Sequence, residues 1–146
     1  MRRALLFAAS VGALAACGLG PQELALHQAT LSYRFDITAE SLPPYANESV
    51  KYTIVAVDRK TGQPVQSGEG QIYGQLNPGG RPYTYDGLVY GPEVGTYHAT
   101  LRFVIAGDRG TPWQMGMRFR RDSLSPLELI NWQQEVRPER DIKPPS

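Results

Sequence analysis

The stretch GTYHATLRFVIAG, Gly95–Gly107, leads into PWQMGMRFR, Pro112–Arg120, through the short connection DRGT, Asp108–Thr111. In the first segment Tyr97, Ala99, Leu101, Phe103 and Ile105 occupy every second position, and in the second Trp113, Met115, Met117 and Phe119 do the same. A period of two sends alternate side chains to opposite sides of a strand, so each segment offers one apolar face to a core and one polar face to water. The two read as an antiparallel hairpin.

The same alternation extends toward the N-terminus. In ATLSYRFDIT, Ala29–Thr38, the apolar set is Leu31, Tyr33, Phe35 and Ile37, with Ser32, Arg34 and Asp36 between them. SVKYTIVAVD, Ser49–Asp58, places Val50, Tyr52, Ile54 and Ala56 on one side, and Val55 and Val57 join from the other, the pattern of a strand covered on both faces. GQIYGQL, Gly70–Leu76, is a shorter strand and YTYDGLVY, Tyr83–Tyr90, a weaker one. Between them DRKTGQPV, NPGGRP and GPEVG supply turns, with Gly62 and Pro64 in the first, and Pro78 and Gly79 at the corners of the second. Six or seven short strands, with 15 glycines and 12 prolines in 146 residues, predict an all-β, immunoglobulin-like β-sandwich over residues 29–122. A small open barrel is the alternative.

The C-terminal part carries two periods at once. In SPLELINWQQEV, Ser125 stands at a helix N-cap position, Pro126 follows at the first helical position, and Glu128 completes a capping box. Leu129, Trp132 and Val136 then form a stripe, which predicts a short helix over 126–136, ended before Pro138, and a disordered end at KPPS. A further edge strand through LELINW is the competing expectation.

The N-terminus reads as a targeting segment. Met1, Arg2 and Arg3 are followed by thirteen apolar or small residues, Ala4–Ala16, which at about 1.5 Å per residue reach about 20 Å, too short for the roughly 30 Å hydrocarbon core. No second long apolar run follows. Leu14, Ala15, Ala16 and Cys17, the only cysteine, resemble the lipobox of the bacterial lipoprotein signal. The resemblance implies cleavage before Cys17 and a diacylglyceryl lipid, palmitate-bearing, on its thiol; two or more acyl chains anchor stably where one does not. The alternative is an ordinary cleaved signal with Cys17 as a free thiol. Residues 1–16 are thus expected as signal peptide and 17–28 as lipidated cysteine and tether, and with Cys17 modified no disulfide can form. Because Gly18 rather than aspartate follows Cys17, the expected site is the periplasmic side of the outer membrane, or the outer face of the plasma membrane where that is the only one.

The segments YTIVAVDRKTGQPV and GTYHATLRFVIAG, with a tryptophan following, also resemble the immunoglobulin-like domains of the YtkA-like and FixH-like families, over about residues 45–120. Arg109–Pro112 intervene where the family tryptophan would come sooner. The resemblance implies a sandwich and raises copper handling, for which Met115, Met117 and His98 are the candidate ligands. Parity separates them: the methionines share the face of Trp113 and Phe119, while His98 falls between Tyr97 and Ala99 and points the other way.

Little else carries chemistry. His27 and His98 are the only histidines, too few for a three-histidine zinc site, and no serine stands in a GxSxG context. Asp86 and Glu93 lie in loops at spacings that point to no acid–base pair. A formal charge of +1, reduced by two when Arg2 and Arg3 leave, gives no case for nucleic acid as a partner. Arg102, Arg118 and Arg120 project from the outer face of the last two strands and form a basic strip, able to meet lipid headgroups or an acidic partner. The expected function is therefore that of a non-enzymatic, membrane-anchored envelope lipoprotein with an interaction or accessory sandwich. Its partners would be the bilayer, through Cys17, and another envelope protein, with no cofactor beyond the covalent lipid. Periplasmic copper handling is the alternative, and an unrecognised enzyme the third.

Overall fold

The computed structural model describes residues 26–77, 79 and 81–141; Cys17, the signal segment and the KPPS tail lie outside them. Among the described residues nine strands form two antiparallel sheets: β1 (Leu26–Ala29), β2 (Tyr33–Ala39), β3 (Ser49–Asp58), β4 (Glu69–Gln75), β5 (Tyr83–Gly87), β6 (Val89–Tyr90), β7 (Thr96–Arg102), β8 (Trp113–Arg120) and β9 (Glu128–Gln134). The first sheet has the order β1-β2-β3-β7-β6 and the second β5-β4-β8-β9. The protein is an all-β sandwich.

The core is the set that alternation selects. Tyr33, Phe35 and Ile37, then Val50, Tyr52, Ile54 and Ala56, then Tyr97, Ala99, Leu101 and Phe103, and finally Trp113, Met115, Met117 and Phe119 are all buried. Phe119 sits at the centre, with Tyr33, Phe35 and Tyr97 in edge contact at centroid distances of 5.2, 5.3 and 5.3 Å. Phe103 meets Trp113 edge-on at 5.0 Å, and the Trp113 indole N–H donates to the Ile105 carbonyl at 3.0 Å. Edge-to-face contacts of this kind add to the area buried.

Several expectations are corrected. Strands β7 and β8 are not a hairpin: β7 pairs with β3 and β6, whereas β8 pairs with β4 and β9, so the two face each other across the core. Alternation fixes which side of a strand is apolar but not which strand lies beside it, and the connection between them is long enough to cross from one sheet to the other. The expected C-terminal helix is strand β9. Ser125 hydrogen-bonds Asp122 instead of capping a helix, and Ile130 and Trp132 turn inward opposite Met117 and Met115. The ladder to β8 outweighs a helical stripe of three residues, because it gives β8 a partner on the side that would otherwise be open. Leu26–Gln28, expected in the tether, pair with β2 and open the first sheet. YTYDGLVY is divided at Leu88, so that β5 joins one sheet and β6 the other. Leu31 and Ile105 are exposed, since each lies outside its strand in a connection.

The two long sides of the sandwich are closed differently. On one, β5 lies along β7 beyond the short β6, and the Asp86 carboxylate and the Thr84 hydroxyl accept from the backbone N–H groups of Thr100 (2.7 Å) and Arg102 (3.4 Å). On the other, β1 and β9 are the edges. They are clamped at one end by Ser32 N–H donating to Glu128 at 3.0 Å, and at the other by Arg137 N–H donating to Pro44 O and Ala46 N–H to Arg137 O, both at 2.8 Å. Between the clamps an apolar cleft of about 320 Å³ opens, walled by Leu26, Ile37, Leu42, Tyr52 and Trp132.

Candidate functional site

The pairing registers of β5, β4, β8 and β9 assign every residue of the second sheet's outer face to a row. The first row reads Tyr83, Gln75, Gln114, Gln133; the second Tyr85, Tyr73, Gly116, Asn131; the third Gly87, Gln71, Arg118, Leu129; and Glu69 with Arg120 begins a fourth. Three tyrosines, four glutamines, one asparagine and two arginines thus share one face. The cause is parity: on each strand the alternate residues, such as Ile72, Met115, Met117 and Ile130, face the core.

The aromatic groups touch one another. Tyr73 stacks on Tyr83 at 6.4 Å, Tyr83 meets Tyr85 at 5.6 Å, and the Arg118 guanidinium lies 5.5 Å from the Tyr73 centroid. Tyr73 reaches across onto β8, where Gly116 leaves the space its ring occupies; a Cβ there would collide with the ring. Tyr83 and Tyr85 remain 43 % and 62 % exposed. Arg120 is bound to Glu69 at 2.8 Å, whereas Arg118 forms no ion pair among the described residues. A hollow of about 330 Å³ beside them is lined by Glu69, Gly70, Gln71, Arg118, Arg120 and Leu127.

The structure brings only part of the expected strip together. Arg118 and Arg120 share the second sheet's outer face, but Arg102 lies on β7, on the outer face of the first sheet, so the three do not form one strip. A single strip requires β7 and β8 to be neighbours in one sheet, and they lie in different sheets. Met115 and Met117 are buried in the core, while His98 sits on the outer face of the first sheet with its Nδ1 3.2 Å from the Thr53 hydroxyl, so these three are not brought together either. Among the described residues no three of histidine, cysteine, aspartate or glutamate are grouped to hold a metal ion, and no helix is long and apolar enough to cross a membrane. Cys17 lies outside the described residues. The tyrosines and amides were missed in the sequence because their grouping depends on register across four strands; the signal available was the i, i+2 repeat of Tyr83 and Tyr85.

Two tyrosine hydroxyls inside the sandwich differ in their partners. Tyr97 donates to Val65 O at 2.7 Å and accepts from Gly68 N–H at 2.9 Å, and burial raises its pKa above the ordinary tyrosine value. Tyr52, on the wall of the cleft, has a buried hydroxyl with no hydrogen-bond partner among the described residues, and burial pushes its pKa up more strongly. Among the described residues that line the cleft there is no further acid or base.

No family model and no curated protein matches the chain. Among solved structures, a DUF4785 family protein from Legionella pneumophila is similar at 15 % identity and a TM-score of 0.47, over 73 % of this chain and 29 % of that one. The chain therefore spans less than a third of that protein's length.

Proposed function

We propose that this chain is a lipid-anchored, non-enzymatic binding module of the cell envelope, tied to the bilayer through Cys17 and meeting its partner with the outer face of the second sheet. The observation that carries the binding reading is the composition of that face. A sheet face built only for solvation carries mixed charges and threonine, whereas this one gathers three contacting tyrosines, five side-chain amides and an arginine without a carboxylate partner among the described residues. The anchor rests on Leu14–Cys17 and the apolar run before it. With β1 starting at Leu26, nine positions past Cys17, the link reaches about 30 Å at most, which keeps the sandwich beside the membrane. Gly18 after the cysteine favours the periplasmic side of the outer membrane, or the outer face of the plasma membrane in a cell with one membrane.

Growth with labelled palmitate followed by membrane fractionation tests the anchor. Wild-type protein should carry the label and sediment with membranes, and Cys17→Ser should carry none and accumulate as uncleaved or released protein. Wild-type protein found wholly in the soluble fraction with a free thiol overturns this reading.

A further inference from the structure

We infer that the outer face of the second sheet binds an acidic polysaccharide, its sugar rings lying against Tyr83, Tyr85 and the exposed part of Tyr73, and a carboxylate on the chain meeting Arg118. The inference rests on the reading of this sheet face as the binding surface and adds the chemical class of the ligand.

Three features select this class. A pyranose ring presents an apolar C–H face, weakly positive, that suits the negative face of an aromatic ring, and Tyr83 and Tyr85 offer such surface at 43 % and 62 % exposure. Its hydroxyls need groups that both donate and accept, which side-chain amides do. Gln75, Gln114 and Gln133 stand in the row of Tyr83, Asn131 in the row of Tyr73 and Tyr85, and Gln71 in the next row beside Arg118, close enough along and across the strands to line one chain. The charge on the face is sparse and positive: Glu69 already neutralises Arg120, leaving Arg118 as the single cation of the face that has no ion-pair partner among the described residues, its planar fork able to take a carboxylate in two parallel hydrogen bonds.

Two rival macromolecules fit less well. Single-stranded nucleic acid would also stack on tyrosines but carries a phosphate at every step, and one uncompensated arginine for three rings cannot match that density. A protein partner would be expected to bury a broad apolar centre, and here the apolar surface at the middle of the face is the single Tyr73 ring over Gly116, bordered by Gln114, Asn131 and the charged Arg118, with Leu129 at the rim.

The test is affinity electrophoresis of the full chain, purified in detergent, through native gels containing either polygalacturonate or its fully methyl-esterified form. The two polymers share their rings and differ in charge. Wild-type protein should be retarded by both, and at least tenfold more strongly by the acid. Tyr85→Ala should weaken both at least tenfold, whereas Arg118→Gln should lower binding of the acid to the level of the ester and leave the ester unchanged. Both side chains are on the outer face, and unchanged melting curves would show that the variants fold. Retardation by neither polymer overturns the inference, as does retardation by the acid alone that vanishes in moderate salt and ignores Tyr85→Ala. A photo-crosslinker at position 85 in cells separates the two levels of the reading: a protein adduct with no polymer binding refutes the glycan and keeps the binding face, and no adduct with no polymer binding refutes both.

Discussion

The two long sides of this sandwich meet the same demand, that buried polar groups find partners, in opposite ways. Where β5 lies along β7, the Asp86 and Thr84 side chains take the free backbone donors of Thr100 and Arg102, and nearby the Tyr97 hydroxyl is bonded on both sides, to Val65 and Gly68. Where β1 faces β9, the closure is made at the two ends, and the cleft between keeps a tyrosine hydroxyl, that of Tyr52, with no partner among the described residues. The chain thus treats a hydroxyl as a structural bond on one side and tolerates it as a cost on the other. Leaving a buried polar group unpaired costs about 1–3 kcal/mol, so the open side should be the weaker of the two.

Phe119 touches aromatic residues of both sides, and its loss should break the comparison altogether. Phe119→Ala should cost about 3–5 kcal/mol in urea unfolding, because it empties the point where Tyr33, Phe35 and Tyr97 meet. A loss below about 1 kcal/mol would mean that the sides are held independently.

Tyr97→Phe sharpens the contrast on the closed side. It strips the partner from two backbone groups at once and should destabilise by about 1–3 kcal/mol, measured by the same unfolding curve.

The clamp at Glu128 gives the open side a pH dependence. Burial raises the pKa of this carboxyl, but hydrogen bonds from Ser32 and Thr30 and the charge of Arg59 lower it more, and the balance is below the ordinary value of 4.5. A group with a depressed folded pKa stabilises above its unfolded pKa and loses that contribution as pH falls through the folded one. Wild-type protein should therefore melt higher than Glu128→Gln at pH 7, by less than the Tyr97→Phe loss, and the gap should close as the pH is lowered below about 4.5. A gap constant from pH 7 to pH 3 would detach the clamp from the carboxylate.

The smallest effect should come from Tyr52→Phe. Removing a hydroxyl that bonds nothing should leave stability within about 0.5 kcal/mol or raise it, the opposite of Tyr97→Phe. Equal losses at the two tyrosines would erase the distinction between the sides.

How much of this was legible depended on the range over which each signal acts. The inward sets from Tyr33 to Ile37, Val50 to Ala56, Tyr97 to Phe103 and Trp113 to Phe119 could be read from local parity alone, and all are buried. Neighbour relations could not, because nothing within β7 or β8 says that they belong to different sheets. The 128–134 segment fitted both a helical stripe and a strand, and only the presence of β8 beside it decides for the strand. Parity puts Arg102, Arg118 and Arg120 each on an outer face, but it does not say that the outer face of β7 belongs to the other sheet. The tyrosine and amide rows stayed hidden because they arise from three registers multiplied together, not from any one segment.

The side-chain bonds that β5 makes to β7 also govern how copies of this protein meet. A strand edge with free N–H groups is a template on which another molecule can add its own strand. At Thr100 and Arg102 those donors are already occupied by Asp86 and Thr84 of the same chain, so an incoming strand would have to displace a bonded carboxylate before its first new pairing formed. Crowded copies should find this side inert. On the opposite side, β1 is only four residues long among the described residues, and β9 is bracketed by Pro126 and Pro138, which prevent it from lengthening as a paired edge.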